Sequence, residues 1–158
     1  MSWPNLDAFA DWWWATGCPL AVPPVCVTRH QGSHEFIVFR KDQFQVEQVT
    51  LFPGYIVPPH CHPDVDSIEC HVTGQGEAQV GGFRLANIPN YRVRHSVRRL
   101  RIPAGVTHSG QAHSVTVALS FQQWRDGVQP GFITDNWQGP EWPASDFADP
   151  PCIFPAQK

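Results

Sequence analysis

The stretch 58-PPHCHPDVDSIECHVTGQG-76 gathers side chains that bind metals and protons. It holds three of the chain's eight histidines, one glutamate, two aspartates and two cysteines, and it closes with a Gly-x-Gly turn. On a β-strand alternate side chains share a face, so His60 and His62 point one way and Cys61 points the other. Two imidazoles on one wall can bind one metal ion. The stretch therefore predicts a strand that carries part of a metal site.

A second polar pair follows on the next predicted strand. Glu69 and His71 share a face there, and Cys70 points away from it. The intervening PDVD segment, residues 63–66, favours a hairpin-like reversal that lays this pair beside the first. Further along, the segment PAGVTH places His108 just after a Pro-x-Gly turn. We therefore expect residues from both segments to meet in one site.

The spacing of these residues resembles that of the cupin superfamily, a small β-barrel whose mouth holds a metal ion. The resemblance covers roughly residues 44 to 124 and rests on two motifs: Gly54-x5-His60-x-His62 with Glu69-x6-Gly76, and Pro103-x-Gly105-x2-His108. It implies one divalent transition metal, which is Fe, Mn, Ni, Zn or Cu. The ligands that it implies by position are His60, His62, Glu69 and His108.

The chain departs from the cupin pattern at the carboxylate. Cupins usually place the glutamate three or four residues after the second histidine, whereas Glu69 follows His62 after six. Asp66 stands at the family spacing, but only Glu69 keeps the six-residue interval to Gly76. Glu69 is therefore the predicted ligand and Asp66 its rival. Two turn positions of the second motif differ as well, namely Val97 and Ala112.

Three other residues are candidates for a role in the site. His71 faces inward under the same alternation and is interpreted as a fifth ligand, a residue that orients a ligand, an acid/base, or a plain core or rim histidine. The run 91-YRVRHSVRRLR-101 holds five of the chain's eleven basic residues. One interpretation is that this run forms a solvated strand face or a salt-bridged interface. The other is that one or two of its arginines reach the barrel mouth and bind a carboxylate or phosphate substrate. Arg99 and Arg101 are the predicted substrate-binding residues because they lie closest to the second motif.

The rest of the chain predicts a mostly β fold, a single cupin-type antiparallel barrel of the jelly-roll kind. Gly, Pro, Asn or Asp separates most of the short β-rich runs, as is typical of antiparallel sandwiches and barrels. The runs lie at 25–29, 34–40, 44–52, 67–74, 77–86, 97–103 and 114–124. We expect one domain over residues 1–158, with a helix and linker at 1–24, the barrel at 25–124, and an extended tail rich in proline and aromatic residues that wraps the barrel at 125–158.

The predicted N-terminal helix spans roughly residues 5–16. Its apolar residues follow the i, i+3, i+4, i+7 pattern of an amphipathic helix, with Asn5 as the N-cap and Gly17 as the stop. The consecutive residues Trp12, Trp13 and Trp14 cannot all point into one narrow stripe. They either cover the protein's own sheet or form a subunit contact or pocket lid. Together with the aromatic tail from Trp137 to Phe154, they lead us to predict a homodimer.

Composition and charge indicate which partners and which cellular location to expect for this protein. The formal net charge of −3 and the pI near 6.2 give no basic footprint for nucleic acid. The sequence has no run of about 18 apolar residues and no secretory-signal pattern, so we expect no membrane partner and a cytoplasmic location. Five cysteines without a CxxC pair indicate reduced thiols.

Two functions from different classes are compatible with these residues. The first is a metal-dependent enzyme that acts on a small anionic organic substrate by dioxygenase, isomerase or lyase chemistry, with His71 as a base. The second is a non-enzymatic cupin that serves as a ligand-binding or assembly module.

Overall fold

The computed structural model describes residues 2–19, 25–29, 32–85 and 99–125, and for residues 25–29 it describes the backbone only. The predicted tail from residue 126 onward, and with it the proposed contact region from Trp137 to Phe154, lies outside the described residues. So does most of the arginine-rich run, including Arg92, Arg94 and Arg98.

The described residues form one helix and ten strands in two sheets. The elements are α1 (Leu6–Ala15), β1 (Val25–Arg29), β2 (Ser33–Lys41), β3 (Phe44–Leu51), β4 (Ile56–His60), β5 (Val65–Thr73), β6 (Gly76–Val80), β7 (Phe83–Leu85), β8 (Arg99–Ile102), β9 (His108–Ala112) and β10 (Thr116–Trp124). The larger sheet has the order β1-β2-β3-β10-β5-β8 and the smaller one β4-β9-β6-β7. The strand pairings within both sheets are antiparallel, which confirms the predicted mostly β class.

Helix α1 begins and ends where its sequence predicts. The side chain of Asn5 accepts a hydrogen bond of 2.9 Å from the backbone N–H of Ala8, which satisfies one of the donors left open in the first turn. Gly17 has a φ of +82°, a left-handed conformation that favours glycine after a helix. The buried positions of the helix are those of the predicted stripe: Leu6, Phe9, Ala10 and Trp13.

The hydrophobic core lies between α1 and one face of the six-stranded sheet, which we call the helix face. This face is defined by buried side chains of β3, β5 and β10, namely Val46, Ile68, Cys70, Leu119 and Phe121. The ring centroids of Trp13 and Phe121 are 5.4 Å apart, and those of Phe9 and Phe121 are 6.0 Å apart. Burial of aromatic surface supplies the largest favourable term per residue in folding. Much of the fold's stability is therefore concentrated outside the barrel.

The three tryptophans pack against the protein's own sheet. Trp13 is buried, and Trp12 and Trp14 are partly buried against the same core cluster. This arrangement agrees with the first interpretation of the tryptophan run. The homodimer stays a prediction. The described residues contain no helix long and apolar enough to cross a lipid bilayer.

Three local sequence predictions were wrong. The PDVD segment does not close a hairpin, because β4 belongs to the smaller sheet and β5 to the larger one. The predicted strand 77–86 is split into β6 and β7 by a turn at Gly81, whose φ is +56°. Strand β9 was absent from the predicted runs, since HSGQA contains few residues that favour strands, whereas the strand expected to carry His60 and His62 corresponds to β4 and ends at His60.

Candidate metal centre and cavity

A cavity of about 180 Å³ lies between the inner faces of the two sheets. The inner face of the larger sheet, which we call the cavity face, alternates with the helix face along β3, β5 and β10. Its polar members include Glu47, Glu69, His71, Ser120 and Gln122. Three histidines from the smaller sheet and the loop after β4 also line the cavity: His60, His62 and His108.

The three histidines come together because of strand register. His60 ends β4 and pairs directly with His108, the first residue of β9. His62 follows two residues later and returns to the same side, as the alternation of strand side chains predicts. The ring centroids are 4.1 Å apart for His60 and His108, 5.0 Å for His60 and His62, and 5.5 Å for His62 and His108. One ligating nitrogen from each ring lies within 4.8 Å of the other two.

Backbone carbonyls orient two of these imidazoles. The Nδ1 of His60 lies 2.8 Å from the carbonyl oxygen of Pro58, and the Nδ1 of His108 lies 3.0 Å from that of Val106. A carbonyl only accepts, so each Nδ1 carries the proton and donates it, which leaves Nε2 with the lone pair that a metal needs. The donor set therefore fits a divalent first-row ion.

Electrostatics keeps the cluster neutral. Burial, with the neighbouring His108, lowers the pKa of His60 to about 3 and that of His62 to about 4. Burial also lowers the pKa of His108. Neutral imidazoles bind metal ions, whereas protonated ones do not. The histidines are thus in the ligand form at neutral pH.

The motif glycines hold the turns beside the histidines. Gly105 has a φ of +78°, and its N–H donates a 2.8 Å hydrogen bond to the carbonyl of His62, which ties the second motif to the first. At Gly76 a Cβ atom would lie 2.6 Å from the carbonyl oxygen of Gln111, closer than real side chains approach. Glycine is therefore required at Gly76 by the close pairing of β6 with β9.

Glu69 and Asp66 lie on opposite faces of β5. Glu69 lines the cavity and accepts a 2.6 Å hydrogen bond from the hydroxyl of Ser120. Burial raises its pKa to about 7, although hydrogen bonds from Ser120 and Ser67 act in the other direction. Asp66 accepts hydrogen bonds from the N–H of Ala104 and from Arg125, outside the cavity. Neither carboxylate belongs to the three-histidine group, which is the one cluster of three or more ligating side chains that the described residues place close enough for a single ion.

His71 lines the cavity as predicted, and its environment leaves it neutral. Burial lowers the pKa of its imidazole. Its Nδ1 is buried and has no hydrogen-bond partner among the described side chains and backbone. The cavity is therefore lined by a neutral imidazole that has one nitrogen without a hydrogen-bond partner among the described residues.

Arg99 and Arg101 lie on the side of β8 that faces α1. The inward positions of this strand are Leu100 and Ile102, which line the cavity. Arg99 forms a salt bridge of 2.5 Å with Asp11, and Arg101 pairs with Asp7. Alternation along the strand directs the two arginines away from the cavity. Their role in substrate binding stays a prediction, and their placement does not favour it.

Sequence reasoning missed two carboxylic acids of the cavity, Glu47 on β3 and Glu35 on β2. Glu47 is buried, and its Oε2 accepts a 2.8 Å hydrogen bond from the amide of Gln122. Neither glutamate belongs to a recognisable motif. A glutamate within a predicted strand indicates a buried polar site only when both faces of that strand are known to be covered.

Comparison with solved structures identifies the fold. A KdgF structure from Halomonas sp. matches with 19% identity and a TM-score of 0.52, over 64% of this chain and 86% of that one. An RmlC-like cupin from Shewanella frigidimarina matches with 12% identity and a TM-score of 0.55, over 68% and 92%. A salicylate 1,2-dioxygenase from Pseudoaminobacter salicylatoxidans matches with 13% identity and a TM-score of 0.52, over 61% of this chain but 27% of that chain.

No protein-family model and no curated protein sequence matches the chain. At the identities of the solved structures, the likeness establishes the fold alone. The chain has the cupin fold, as its two motifs predict.

Proposed function

We propose that this protein is a metal-dependent cupin that binds a small organic molecule in its cavity and catalyses a reaction on it. The observation that carries the proposal is the convergence of His60, His62 and His108, with one ligating nitrogen from each within 4.8 Å of the other two. The cavity beside them has room for a small substrate. Glu69, which lines the same cavity, is the proposed carboxylate ligand.

A divalent ion at this position would supply Lewis-acid polarisation or, in the case of iron, oxidation chemistry. The protein's own contribution is to exclude water and to place a proton acceptor. Apolar side chains from both sheets, such as Val57, Ala78 and Leu100, surround the polar groups. His71 is the proposed acid/base because it lines the cavity and its imidazole carries a nitrogen that no described residue hydrogen-bonds.

The metal assignment is tested by elemental analysis of protein purified without chelator. The wild-type chain is expected to carry one divalent ion, and the double variant His60→Ala/His62→Ala is expected to carry none while it keeps the circular dichroism of a folded β protein. His113→Ala is the matched control, since this histidine stands outside the three-histidine group. Full metal content in the double variant would contradict the assignment.

Oxygen consumption separates the two classes of chemistry. If the native ion is iron, a panel of small organic acids, alcohols and amines is expected to contain a compound that drives oxygen uptake by the wild type and not by the double variant. With another ion, isomerisation or elimination products are expected instead. A metal-bound protein that converts nothing in either assay would favour the non-enzymatic ligand-binding cupin.

A further inference from the structure

Glu47 lines the cavity and carries a buried oxygen atom that no described residue hydrogen-bonds. Its side chain is 3% exposed and lines the cavity, yet its Oε1 has no hydrogen-bond partner among the described residues. A buried carboxyl oxygen without a partner costs free energy on the order of 1–3 kcal/mol. Such an atom is retained most readily where a ligand supplies the missing contact.

A chain of hydrogen bonds fixes the orientation of Glu47. Arg40 donates to the amide oxygen of Gln45 from Nε, at 2.8 Å, so the amide nitrogen of Gln45 must point inward. That nitrogen donates to the amide oxygen of Gln122 at 2.9 Å. The amide nitrogen of Gln122 in turn donates to Oε2 of Glu47 at 2.8 Å. Oε2 is thereby occupied, and Oε1 is left without a partner among the described residues.

Two further carboxyl groups, those of Glu35 and Glu69, line the same cavity as Glu47. Burial raises the pKa of Glu47 most, and charge repulsion from Glu35 and Glu69 raises it further, whereas the hydrogen bond from Gln122 and the charge of Arg40 act in the other direction. No lysine or arginine of the described residues lines this cavity. A positively charged group would relieve the repulsion and complete the bonding of Oε1. The described residues bring no three of these carboxylates close enough for one bare metal ion.

The floor beside the carboxylates is aliphatic. In the paired register, Glu35 stands opposite Val49, which stands opposite Ala118. Both apolar residues line the cavity next to Glu47. A ligand that fits this surface combines a cationic head with a short hydrocarbon segment.

We propose that Glu47, assisted by Glu35, is the binding site for the ammonium group of a small aliphatic amine substrate. This inference rests on the proposed function, since it names the substrate class of the same cavity, and it replaces the anionic substrate expected from the sequence. The amine binds with N–H donating to Oε1 of Glu47, and its hydrocarbon segment lies along Val49 and Ala118.

The test compares three probes of similar size, n-butylammonium, n-butanol and butyrate, by NMR titration of the full chain. Titrations are made on the protein as purified and after removal of metal by a chelator, so that direct binding of the amine to a metal ion is separated from binding at Glu47. The wild type is expected to bind n-butylammonium at least about tenfold more tightly than either other probe in both states. Comparable affinity for n-butanol, tighter binding of butyrate, or no binding of n-butylammonium would overturn the proposal.

Variants locate the site. Glu47→Gln keeps the shape and can still accept from Gln122, and it is expected to lower n-butylammonium affinity at least about tenfold. Glu35→Gln is expected to lower it by a smaller factor, and it decides the question if Glu47→Gln does not fold. Glu77→Gln is the control, because Glu77 pairs with Arg84 on the other side of the smaller sheet. Unchanged affinity in both cavity variants would also overturn the proposal.

Elemental analysis of the same samples keeps the two proposals distinguishable. Metal without amine binding would remove this inference and leave the metal site. Amine binding without any metal would leave this inference and remove the metal-dependent function.

Discussion

The two faces of the six-stranded sheet differ in almost every physical property. On β10, Phe121 points into the aromatic cluster under α1, whereas its neighbours Ser120 and Gln122 point into the cavity. The helix face is apolar and closely packed, and the cavity face carries hydrogen-bonded polar groups around an open space. The contrast teaches that this barrel places its aromatic core under α1 and keeps its polar groups in the cavity between the sheets. The aromatic core and the proposed site are carried by alternate residues of the same strands.

The largest expected effect comes from the helix face. Phe121→Ala removes a fully buried ring that touches Phe9 and Trp13, and it is expected to lower the free energy of unfolding by about 3–5 kcal/mol. Ser120→Ala, one residue away on the cavity face, is expected to cost less than about 1.5 kcal/mol. Denaturant unfolding of the metal-free proteins measures both. A larger loss for Ser120→Ala would reverse the division between the faces.

The next effect concerns metal affinity at the cavity face. Glu69→Gln is expected to weaken binding of a divalent ion at least about tenfold, and Asp66→Asn is expected to leave it nearly unchanged because Asp66 faces out of the cavity. Competition with a chromophoric chelator at pH 7.5 gives both values. A greater loss in Asp66→Asn would show that Asp66 is the ligand.

The pH dependence of metal affinity tests the role of Glu69 in the wild-type protein, without a substitution. A raised pKa near 7 means that Glu69 is protonated below that pH and must release the proton to bind an ion. His60 and His62, with pKa values of about 3 and 4, stay neutral in this range. Affinity is therefore expected to fall about tenfold per pH unit from pH 7 to pH 5.5 in the wild type. In Glu69→Gln a flat profile is expected, and a flat wild-type profile would exclude the carboxylate as a ligand.

The smallest effect belongs to the salt bridges that connect β8 with α1. Asp7→Asn removes the partner of Arg101, and both side chains are about half exposed. Exposed ion pairs of this kind contribute about 0–1 kcal/mol, so the variant is expected to lie within that range in denaturant unfolding. Arg101→Gln is expected to match it and to leave ligand affinity unchanged. A marked loss of ligand affinity in Arg101→Gln alone would revive the prediction that this arginine binds substrate.

The sequence predicts best those parts of the fold that follow a local period. Helix α1 follows from the spacing of Leu6, Phe9 and Trp13, and the helix face and cavity face follow from alternation on β5 and β10. The HxH motif places His60 and His62 on one side for the same reason. No local rule connects residues that are far apart in sequence, such as His60 and His108. Their common site was predicted only from the resemblance to the cupin motifs.

What the sequence could not predict depends on the pairing of strands across the barrel. The hairpin expected after His62 failed because the chain crosses from one sheet to the other there, and turn residues such as Pro63 and Asp64 are compatible with either path. Glu47 was missed because its role arises from Gln122, which lies 75 residues away. Arg99 and Arg101 were predicted to bind substrate because they lie close in sequence to the second motif. In the structure, the alternation of side chains along β8 directs both toward α1.

The hydrogen-bonded chain from Arg40 to Glu47 has a consequence for how this cavity could change its ligand during evolution. Each amide in the chain has two orientations, and Arg40 selects one of them for both Gln45 and Gln122. Replacement of Arg40 by an acceptor such as glutamate reverses the preferred orientation of both amides. Gln122 would then offer oxygen instead of nitrogen to Glu47. A substitution at Arg40, a half-buried residue that does not line the cavity, could therefore change which hydrogen-bonding groups the cavity offers to a ligand.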